Sequence, residues 1–544
     1  MKLSITAAVL IASLVLASVA LAAEPNVVMQ PGGAMYLNGE PFMPIGAWCH
    51  ADVKFSDLNA WNMNTAFIGL SRKDPEEGAK AFGARLSEAT DVGLKVIGYF
   101  GYGGWGEEKK PPGWTEDEMR PYLAYKDHPA LIGWCLGDDL LVERHLEGVK
   151  QAHEIVKRID PVHPTMGDSN GRAIDDFLPF KPYLDITLPY TYPVAGSYPD
   201  WYETYMTKRR AYMGDPVWTF LQAFNTRGTW QGFGVGGWGR GPTPDPGQFR
   251  IIAYLPVALG YKGLIWFGAH TLVNNPERAH QVSILDAELE QIGPVAVTMQ
   301  PSDSADTFAT YRSHSVKTYC LENDKRKLVF VLSWRKNDFH TLGSTGYENF
   351  PVRIKMRGDY DLTLPTGPSI EAYQVGFPGL RKMNITTANR SAIDMHIRKL
   401  EVMGVYLITE AGDPLIEQWQ TAFSEQLVDI SYNMTALAEL QIGKVKGIHD
   451  KLVELGVEVP EPAEALTAAE EAHARAVKAR QDLDYEFAYK QGAEALVHCR
   501  ALQTAYMRHA WNMAAKYGTV FYALPTMFEK LKEEARNAGP EAEE

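Results

Sequence analysis

Hydrophobic positions between residues 41 and 293 follow two alternating patterns. Short apolar runs of strand type recur along this region, and apolar residues at helical spacing follow them. The eight predicted strands cover residues 41–48, 63–70, 94–101, 130–137, 163–169, 184–192, 216–224 and 261–269. Eight strand–helix units over about 250 residues are the count and size of a (β/α)8 barrel, also called a TIM barrel. An open doubly wound sheet is the alternative, but it would usually carry a glycine-rich phosphate loop after its first strand, where this chain reads GAWCHADVKF.

Start signals mark the predicted helices between these strands. Asp74 precedes Pro75 and two glutamates, which is the order of an N-cap, a first-turn proline and acidic first-turn residues. Thr115 and Glu118 have the spacing of a capping box. The run 248–260 is predicted as a helix despite a proline that would kink it. These signals support an alternating β/α order.

The pattern changes twice after the barrel region. Helical periodicity stops near residue 300, and strand-like runs at 327–334, 350–356 and 400–408 predict a small β-sandwich that braces the barrel. The chain then becomes amphipathic and rich in alanine, which predicts an antiparallel helical bundle that could dimerise, cover the barrel or contact glycan. The predicted parts are a signal peptide at 1–22, a barrel at 23–298, a sandwich at 299–412, a bundle at 413–538 and a disordered tail at 539–544.

The first 22 residues have the features of an export signal. Lys2 supplies the positive start, Val9 to Ala20 the apolar stretch, and Ala20-Leu21-Ala22 the small-residue cleavage site. An uncleaved membrane anchor is the alternative, but the apolar run is short for a span. No later segment of the sequence is apolar enough to cross a bilayer. We therefore expect an exported protein, in the periplasm or outside the cell.

Composition narrows the possible partners. The net charge of −14 would repel nucleic acid and anionic membranes. The four cysteines lack metal-ligand spacing and are expected as buried free thiols, with a Cys49–Cys135 disulfide as the alternative. No HExxH or EF-hand motif occurs, so no metal or other cofactor is required. The 13 tryptophans and 26 tyrosines offer flat faces of the kind that stack on sugar rings.

Polar and aromatic residues follow most of the predicted strands. Active sites of this barrel lie at the carboxyl ends of the strands, so these residues are expected on one face. In strand order they are Trp48, His50 and Asp52; Tyr102, Trp105 and Trp114; Asp138 and Asp139; Asp168 and Asn170; Tyr190 and Tyr192; Gln222 and Asn225; Trp266 and His270. Carboxylates, aromatic rings and amides together form the lining of a carbohydrate site, so carbohydrate is the expected partner.

Three sequence segments resemble the large clan of barrel glycoside hydrolases. Residues 35–48, MYLNGEPFMPIGAW, are similar to the NGKPF opening of many such domains. WCLGDD at 134–139 aligns with their fourth-strand W-x-x-G-N-E, and GLIWF at 263–267 resembles their eighth-strand segment. The resemblance covers under half of the chain. Further segments resemble a group of exported bacterial barrel proteins: residues 128–134, 159–165 and 242–250.

The resemblance implies roles for individual residues and also shows a departure. Asp139 takes the place of the acid/base glutamate, Asp138 that of the preceding asparagine, and Trp266 that of a tryptophan that stacks on sugar. Retaining members of the clan place a nucleophilic glutamate at the end of the seventh strand, where this chain has Gln222. An amide cannot act as the carboxylate nucleophile of a double displacement. Three interpretations of the function remain.

In the first interpretation the substrate supplies its own nucleophile, as in barrel hexosaminidases that use the 2-acetamido oxygen of the sugar. Asp138 would orient that acetamide and Asp139 would protonate the leaving oxygen. Tyr190 or Tyr192 would hydrogen-bond the amide carbonyl. Adjacent carboxylates suit this task, because the second ionisation is disfavoured and one member can stay protonated near neutral pH.

In the second interpretation the enzyme inverts, with Asp139 as the acid and Asp168 or Asp52 as the base that activates water. In the third, the barrel is catalytically inactive and only binds glycans. Structural roles are also open for the aspartates, since Asp138 or Asp139 could cap the helix predicted near Val142 and Asp168 could serve a turn. The loop 234–241 is a lid candidate. The substrate-binding candidates are His50, Asp168, Tyr190, Tyr192, Gln222 and Trp266.

Overall fold

The structure, a computed structural model, describes residues 27–49, 53–101, 113–169, 177–193, 199–224, 246–268, 270–307, 316–333, 347–356, 369–400, 402–454 and 463–516. The predicted signal peptide, the lid candidate and the tail lie outside these residues. Among the helices that are described, none has the length and apolar character of a membrane span.

A short antiparallel sheet precedes the barrel. Its strands are β1 (Val27–Met29), β2 (Met35–Leu37) and β3 (Glu40–Phe42). The barrel strands are β4 (Ile45–Cys49), β5 (Thr65–Gly69), β6 (Lys95–Tyr99), β7 (Leu131–Cys135), β8 (Thr165–Ser169), β9 (Ile186–Pro189), β10 (Thr219–Gln222) and β11 (Leu264–Phe267). Each of the eight overlaps its predicted run, because long apolar stretches bounded by helix signals leave little freedom in where a strand lies.

The barrel strands pair in parallel, in the order β10-β11-β4-β5-β6-β7-β8-β9. Hydrogen bonds join the two ends of this order: Thr187 N–H donates to Pro216 O at 3.3 Å, and Trp218 N–H donates to Thr187 O at 3.0 Å. The sheet thus closes on itself. The predicted (β/α)8 barrel is confirmed, and the open-sheet alternative is excluded.

Helices lie between the strands and pack outside the sheet. They are α1 (Phe55–Ala60), α2 (Pro75–Asp91), α3 (Glu116–Leu123), α4 (Val142–Ile159), α5 (Pro199–Met213), α6 (Pro246–Ala258), α7 (His270–Val273) and α8 (Pro276–Val297), with a 3-10 helix at Leu178–Tyr183. Both predicted start signals are present: Asp74 accepts a hydrogen bond from Glu77 N–H at α2, and Thr115 forms a capping box with Glu118 at α3.

Alternation along the strands divides the barrel into an inner and an outer core. On β7, Trp134 packs outward toward the helices and Cys135 packs inward. All four cysteines are buried and free, so the alternative Cys49–Cys135 disulfide is not formed. The inner core is rich in aromatic rings: Trp48, Phe67, Tyr99, Tyr190, Tyr192, Phe220 and Phe267.

Two antiparallel sheets follow the barrel and share one core. Their strands are β12 (Gln300–Ser302), β13 (Ala305–Thr307), β14 (Val316–Glu322), β15 (Lys327–Ser333), β16 (Tyr347–Lys355), β17 (Ile370–Val375), β18 (Arg381–Lys382), β19 (Asn384–Asn389), β20 (Ala392–Leu400) and β21 (Met403–Glu410). One sheet has the order β12-β14-β15-β21-β17-β18 and the other β13-β16-β20-β19. Val329 of the first sheet and Val352 of the second belong to the same buried cluster, as expected for a sandwich.

Three long helices complete the described chain. They are α9 (Pro414–Glu454), α10 (Ala463–Gln481) and α11 (Tyr485–Lys516), which pack on one another. Helix α9 also packs along α8 of the barrel, where Asn433 Nδ2 donates to Ser283 Oγ at 2.9 Å. Arg326 of the sandwich pairs with Asp413 before α9 at 2.6 Å. The bundle therefore lies against the flank of the barrel, with the sandwich as its neighbour.

Candidate active site

Asp168 lies on the inner face of the barrel, near the carboxyl end of β8. Met166, two residues earlier, belongs to the inner core, whereas Gly167 between them faces Leu140 and Leu184 outside. Strand alternation therefore directs the Asp168 carboxyl into the barrel. The side chain is 0% exposed, so Asp168 is a buried strand residue and does not have the turn role that the sequence left open.

The loop after β7 brings the two adjacent aspartates beside Asp168. Leu140 N–H donates to Asp168 O at 3.1 Å and Asp168 N–H donates to Gly137 O at 3.2 Å, which ties the loop to β8. Asp139 has a left-handed backbone with φ +50°, and its N–H donates to Asp168 Oδ1 at 2.8 Å. Asp138 and Asp139 therefore do not point to opposite faces, as they would in an extended strand. Both carboxylates approach Asp168 instead.

Asp138, Asp139 and Asp168 form one group, which we call the acid cluster. One carboxylate oxygen from each lies within 4.8 Å of the others. Tyr190, which follows β9, donates its hydroxyl to Asp139 Oδ1 at 2.5 Å. The Tyr190 carbonyl in turn accepts a hydrogen bond from the Tyr205 hydroxyl at 2.9 Å. The fourth, fifth and sixth barrel strands each supply part of this arrangement.

Burial and mutual repulsion raise pKa values in the acid cluster. Full burial, with the charge of Asp138 beside it, holds the pKa of Asp168 well above its ordinary value. Burial also raises the pKa of Asp138; a hydrogen bond from Asp168 opposes this shift and the charge of Asp139 adds to it. The raised pKa favours the protonated form of Asp168, which can donate a hydrogen bond to the Asp138 carboxylate.

Aromatic rings surround the acid cluster. The ring centroid of Tyr192 lies 4.9 Å from that of Tyr190 and 5.6 Å from that of Phe267, and the Trp48 and Tyr99 centroids are 4.4 Å apart. Burial raises the pKa of Tyr99 and of Tyr192 well above the ordinary range, and the charges of the acid cluster raise both further. This electrostatic coupling means that both hydroxyls lie near the carboxylates. The rings form a surface suited to a sugar.

Trp266 does not face this space, contrary to the stacking role implied by the resemblance. Its ring is 0% exposed and packs on Phe249 of α6 at 5.6 Å in the outer core. Its Nε1 donates to both carboxylate oxygens of Asp286 at 3.0 Å. The predicted role of Trp266 is therefore wrong. Phe267, one residue later, belongs to the inner core and takes the inward position.

Gln222 ends β10, two residues after the inner-core residue Phe220. Its side chain is fully buried, and its Nε2 donates to Phe224 O at 3.3 Å. The strand end that carries a nucleophilic glutamate in the resembling clan therefore carries a buried amide here. His270 begins the short helix α7 after β11. Other strand-end candidates lie outside the described residues: His50, Asp52, Tyr102, Trp105, Asn170 and Asn225.

The capping role considered for Asp138 and Asp139 is not observed. Helix α4 has Leu141 as its N-cap and no side-chain hydrogen bond to its first turn. Sequence reasoning missed Tyr99, which borders the cluster, and selected Tyr102 on the following loop instead. The sequence did carry a signal for Tyr99, because Tyr99 is the last residue of β6 and lies two positions after the inner-core residue Ile97, on the same face of the strand.

The spacing of the acid cluster would also suit a divalent cation, since three carboxylate oxygens within 4.8 Å can share one ion. Two contacts compete with this use. The Tyr190 hydroxyl already donates a hydrogen bond to Asp139, and Asp168 is hydrogen-bonded to Asp138. A raised pKa at Asp168 further opposes the ionised form that a metal ligand needs. We therefore derive no step that involves a metal.

No protein-family profile and no curated protein sequence matches the chain. Among similar solved structures, a glycoside hydrolase family 5 protein from Bacteroides vulgatus ATCC 8482 is 13% identical, covers 73% of this chain and 95% of its own, and has a TM-score of 0.47. A GH27 β-L-arabinopyranosidase from Geobacillus stearothermophilus is 11% identical, covers 68% of this chain and 97% of its own, and has a TM-score of 0.42. At these values the likeness carries no argument about activity, and the fold assignment rests on the strand order described above.

Proposed function

We propose that this protein is a glycoside hydrolase that acts at the carboxyl ends of its barrel strands, with the general acid supplied by the Asp138–Asp139 pair. The observation that carries the proposal is the convergence of three carboxyls from two strands, with one tyrosine hydroxyl on Asp139 and raised pKa values at the other two. Perturbed carboxyls at this end of a barrel are suited to acid–base chemistry. We further propose export of the chain, on the features of its first 22 residues.

The geometry argues against one form of the inverting mechanism. An inverting pair needs carboxyl groups about 6.5–9.5 Å apart, so that a water molecule fits between the base and the sugar. Asp168 lies within 4.8 Å of Asp139 and is fully buried, so Asp168 is a poor candidate for that base. The other base considered, Asp52, lies outside the described residues. The substrate-assisted mechanism needs no second carboxylate at a distance and is the mechanism that we propose.

In this mechanism the 2-acetamido oxygen of the substrate attacks the anomeric carbon while the glycosidic C–O bond breaks. Asp139 gives its proton to the leaving oxygen, and Asp138 holds the acetamide N–H. Water then opens the cyclic intermediate and returns a proton to Asp139, which restores the acid. Asp168 acts as a positioning residue, because its proton can hold Asp138 in place. The raised pKa of Asp138 favours a second assignment, in which Asp138 is the acid and Asp139 orients the amide.

Leaving-group dependence separates these two assignments. The general acid matters most for leaving groups that need a proton, and little for an activated nitrophenolate. If Asp139 is the acid, Asp139→Asn loses turnover of alkyl N-acetylhexosaminides but keeps much of it with dinitrophenyl substrates, whereas Asp138→Asn loses both. The reverse pattern would assign the acid to Asp138. Equal turnover of both variants and wild type would remove the acid cluster from catalysis.

A substrate panel tests the reaction class. We expect the full chain to release product from 2-acetamido glycosides and not from the matched 2-hydroxy glycosides, because the latter lack the internal nucleophile. Turnover of 2-hydroxy glycosides would contradict the substrate-assisted mechanism while leaving a glycosidase. Binding of glycans without any product release would support the alternative, a catalytically inactive glycan-binding protein on this barrel.

A further inference from the structure

A cavity of about 580 Å³ lies where the barrel, the sandwich and the bundle meet. We call it the junction cavity. Its walls come from α6 and α8 of the barrel, from β17, β21 and the turn after β17 in the sandwich, and from α9 and α11 of the bundle. No member of the acid cluster lines it. Its volume falls within the range of small-molecule sites, which are about 300–1,000 Å³.

Hydrogen bonds between the three parts fix the walls of the junction cavity. Phe377 N–H, in the turn after β17, donates to Glu288 Oε1 of α8 at 3.4 Å. Leu380 N–H donates to Gln420 Oε1 of α9 at 3.0 Å. Glu288 also pairs with Arg250 of α6 at 2.7 Å. The cavity is therefore a preformed feature of the domain arrangement, which lowers the cost of ordering a site when a ligand binds.

Two buried polar groups in the wall lack hydrogen-bond partners. Gln281 is 2% exposed, and neither its Nε2 nor its Oε1 has a partner among the described residues. Tyr406 is 0% exposed, and its hydroxyl has no partner there either. Buried amides and hydroxyls are nearly always hydrogen-bonded, because leaving them unpaired is costly. Both residues line the cavity, so a molecule inside it can supply the missing partners.

The lining of the junction cavity carries an excess of positive charge. Its cationic side chains are Arg250, Arg381, Lys399, Lys490 and Arg500, against two carboxylates, Glu288 and Glu486. Arg250 pairs with Glu288 and Lys490 pairs with Glu486, so each of the two carboxylates neutralises one of the five cations. Arg250 and Arg381 also act electrostatically on the Tyr406 hydroxyl, so positive charge lies on the same side as one of the two unpaired groups. The site therefore favours an anion.

We propose that the junction cavity binds a small organic anion with a hydroxylated body, such as a sugar acid or a sugar phosphate. The acidic group would face the arginine and lysine side chains. The amide of Gln281 and the hydroxyl of Tyr406 would pair with ligand hydroxyls, and the rings of Phe377 and Tyr489 would contact its apolar faces. This site is separate from the acid cluster and does not depend on the function proposed for it.

Calorimetric titration of the full chain tests the ligand class. The probes are glucuronate and glucose 6-phosphate as hydroxylated anions, with glucose as the neutral match and inorganic sulfate as the bare anion. We expect saturable binding of at least one hydroxylated anion, and at least about 10-fold weaker binding of glucose and of sulfate. Failure of both hydroxylated anions to bind would overturn the proposal. Equal binding of glucose or of sulfate would overturn it as well, because charge or hydroxyl recognition would then be absent.

Two conservative variants locate the binding. Gln281→Leu and Tyr406→Phe each remove an unpaired polar group, so the free protein should keep its melting temperature or gain slightly. Each should weaken binding of the anion at least about 10-fold, whereas Tyr373→Phe, which removes a hydroxyl bonded to Glu371 outside the cavity, should not. Unchanged affinity in both variants, or a large loss of stability without ligand, would contradict the proposal. Turnover measured in parallel should stay at the wild-type value, which separates this test from that of the acid cluster.

Discussion

Asp160 and Asp168 are only eight residues apart and both are buried, but their carboxyl groups have opposite electrostatic environments. Asp160 is 1% exposed and lies between α4 and β8, at the amino end of the strand. It accepts hydrogen bonds from Trp134 Nε1 at 2.7 Å and His163 Nδ1 at 2.8 Å, and also from the backbone N–H of His163 at 3.2 Å. Burial alone would raise the pKa of Asp160, but these donors hold it below its ordinary value.

Asp168 is 0% exposed at the other end of the same strand, and its neighbours are acids. One backbone N–H reaches its Oδ1, and burial together with Asp138 raises its pKa well above normal. The amino end of the barrel therefore holds a carboxylate that is satisfied and stabilising. The carboxyl end holds one that costs stability, which is the expected sign of a functional site.

The largest stability loss is predicted at the satisfied carboxylate. Asp160→Asn places an amide NH2 against the donors of Trp134 and His163, so the free energy of unfolding should fall by about 3 kcal/mol. Denaturant titration at neutral pH measures it. Asp91→Asn makes the same chemical change at the exposed end of α2 and should stay within about 0.5 kcal/mol of wild type. Equal stability of the two variants would remove Asp160 from this role.

A smaller stability loss is predicted for the outward tryptophan. Trp266→Phe removes the one side-chain hydrogen-bond donor that the fully buried Asp286 has among the described residues, and we expect a loss of about 2 kcal/mol. Phe267→Leu, on the neighbouring inward position, should instead weaken substrate affinity with little change in melting temperature. The comparison of melting temperature and KM checks both. If Trp266→Phe lost substrate affinity but kept the wild-type melting temperature, Trp266 would instead have the sugar-stacking role that the resemblance implied.

Tyr190→Phe removes the hydroxyl that bonds Asp139 while keeping the ring. Asp139 becomes charged as it gives up its proton, and hydrogen bonds to charged groups contribute about 1.5–3 kcal/mol, so we expect kcat/KM to fall about 10- to 100-fold. The fall should appear in kcat, because the hydroxyl positions a reacting group. Tyr205→Phe, which removes the hydroxyl bonded to the Tyr190 carbonyl, should have a weaker effect on kcat. Wild-type kcat in Tyr190→Phe would contradict the positioning role.

The two carboxyl groups should also differ in how their contribution to stability depends on pH. The pKa of Asp160 is lowered, so its stability contribution is present above its unfolded pKa of about 3.9 and is lost as pH falls through the folded value. The pKa of Asp168 is raised, so its protonated form stabilises the fold below that unfolded value, and this contribution is lost as pH rises through the folded value.

Melting temperatures across pH check this contrast. The deficit of Asp160→Asn relative to wild type should shrink toward acid pH. Asp168→Asn should gain relative to wild type as pH rises, by about 1.4 kcal/mol for each pH unit over which only the folded carboxyl is protonated. If the difference in melting temperature between each variant and wild type did not change with pH, the two carboxyl groups would not have pKa shifts of opposite sign.

Much of the fold followed from the sequence, because strand runs and helix signals repeat locally. The count of eight strand–helix units was enough to predict the closed barrel, and four consecutive residues were enough to predict the helix cap at Asp74. It was harder to predict which residues of a strand point into the barrel. Residues 264–267 read LIWF, which is apolar on both faces, so periodicity could not decide whether Trp266 or Phe267 points inward.

The acid cluster was only partly predictable. Its members were all named from strand ends, but the sequence left open whether Asp138 and Asp139 would share a face. That depends on the left-handed backbone of Asp139 and on its N–H bond to Asp168, a contact 29 residues away in the chain. The junction cavity had no sequence signal, because its wall combines residues from three parts of the chain.

The most direct test of the central claim is the turnover of N-acetylhexosaminides by wild type, Asp139→Asn and the exposed control Asp91→Asn. We predict turnover by wild type and by Asp91→Asn, and a loss of about 100-fold or more in Asp139→Asn at an unchanged melting temperature. Wild-type turnover in a folded Asp139→Asn variant, or glycan binding by wild type with no product from any sugar, would contradict the assignment of this barrel as a glycoside hydrolase that uses its acid cluster.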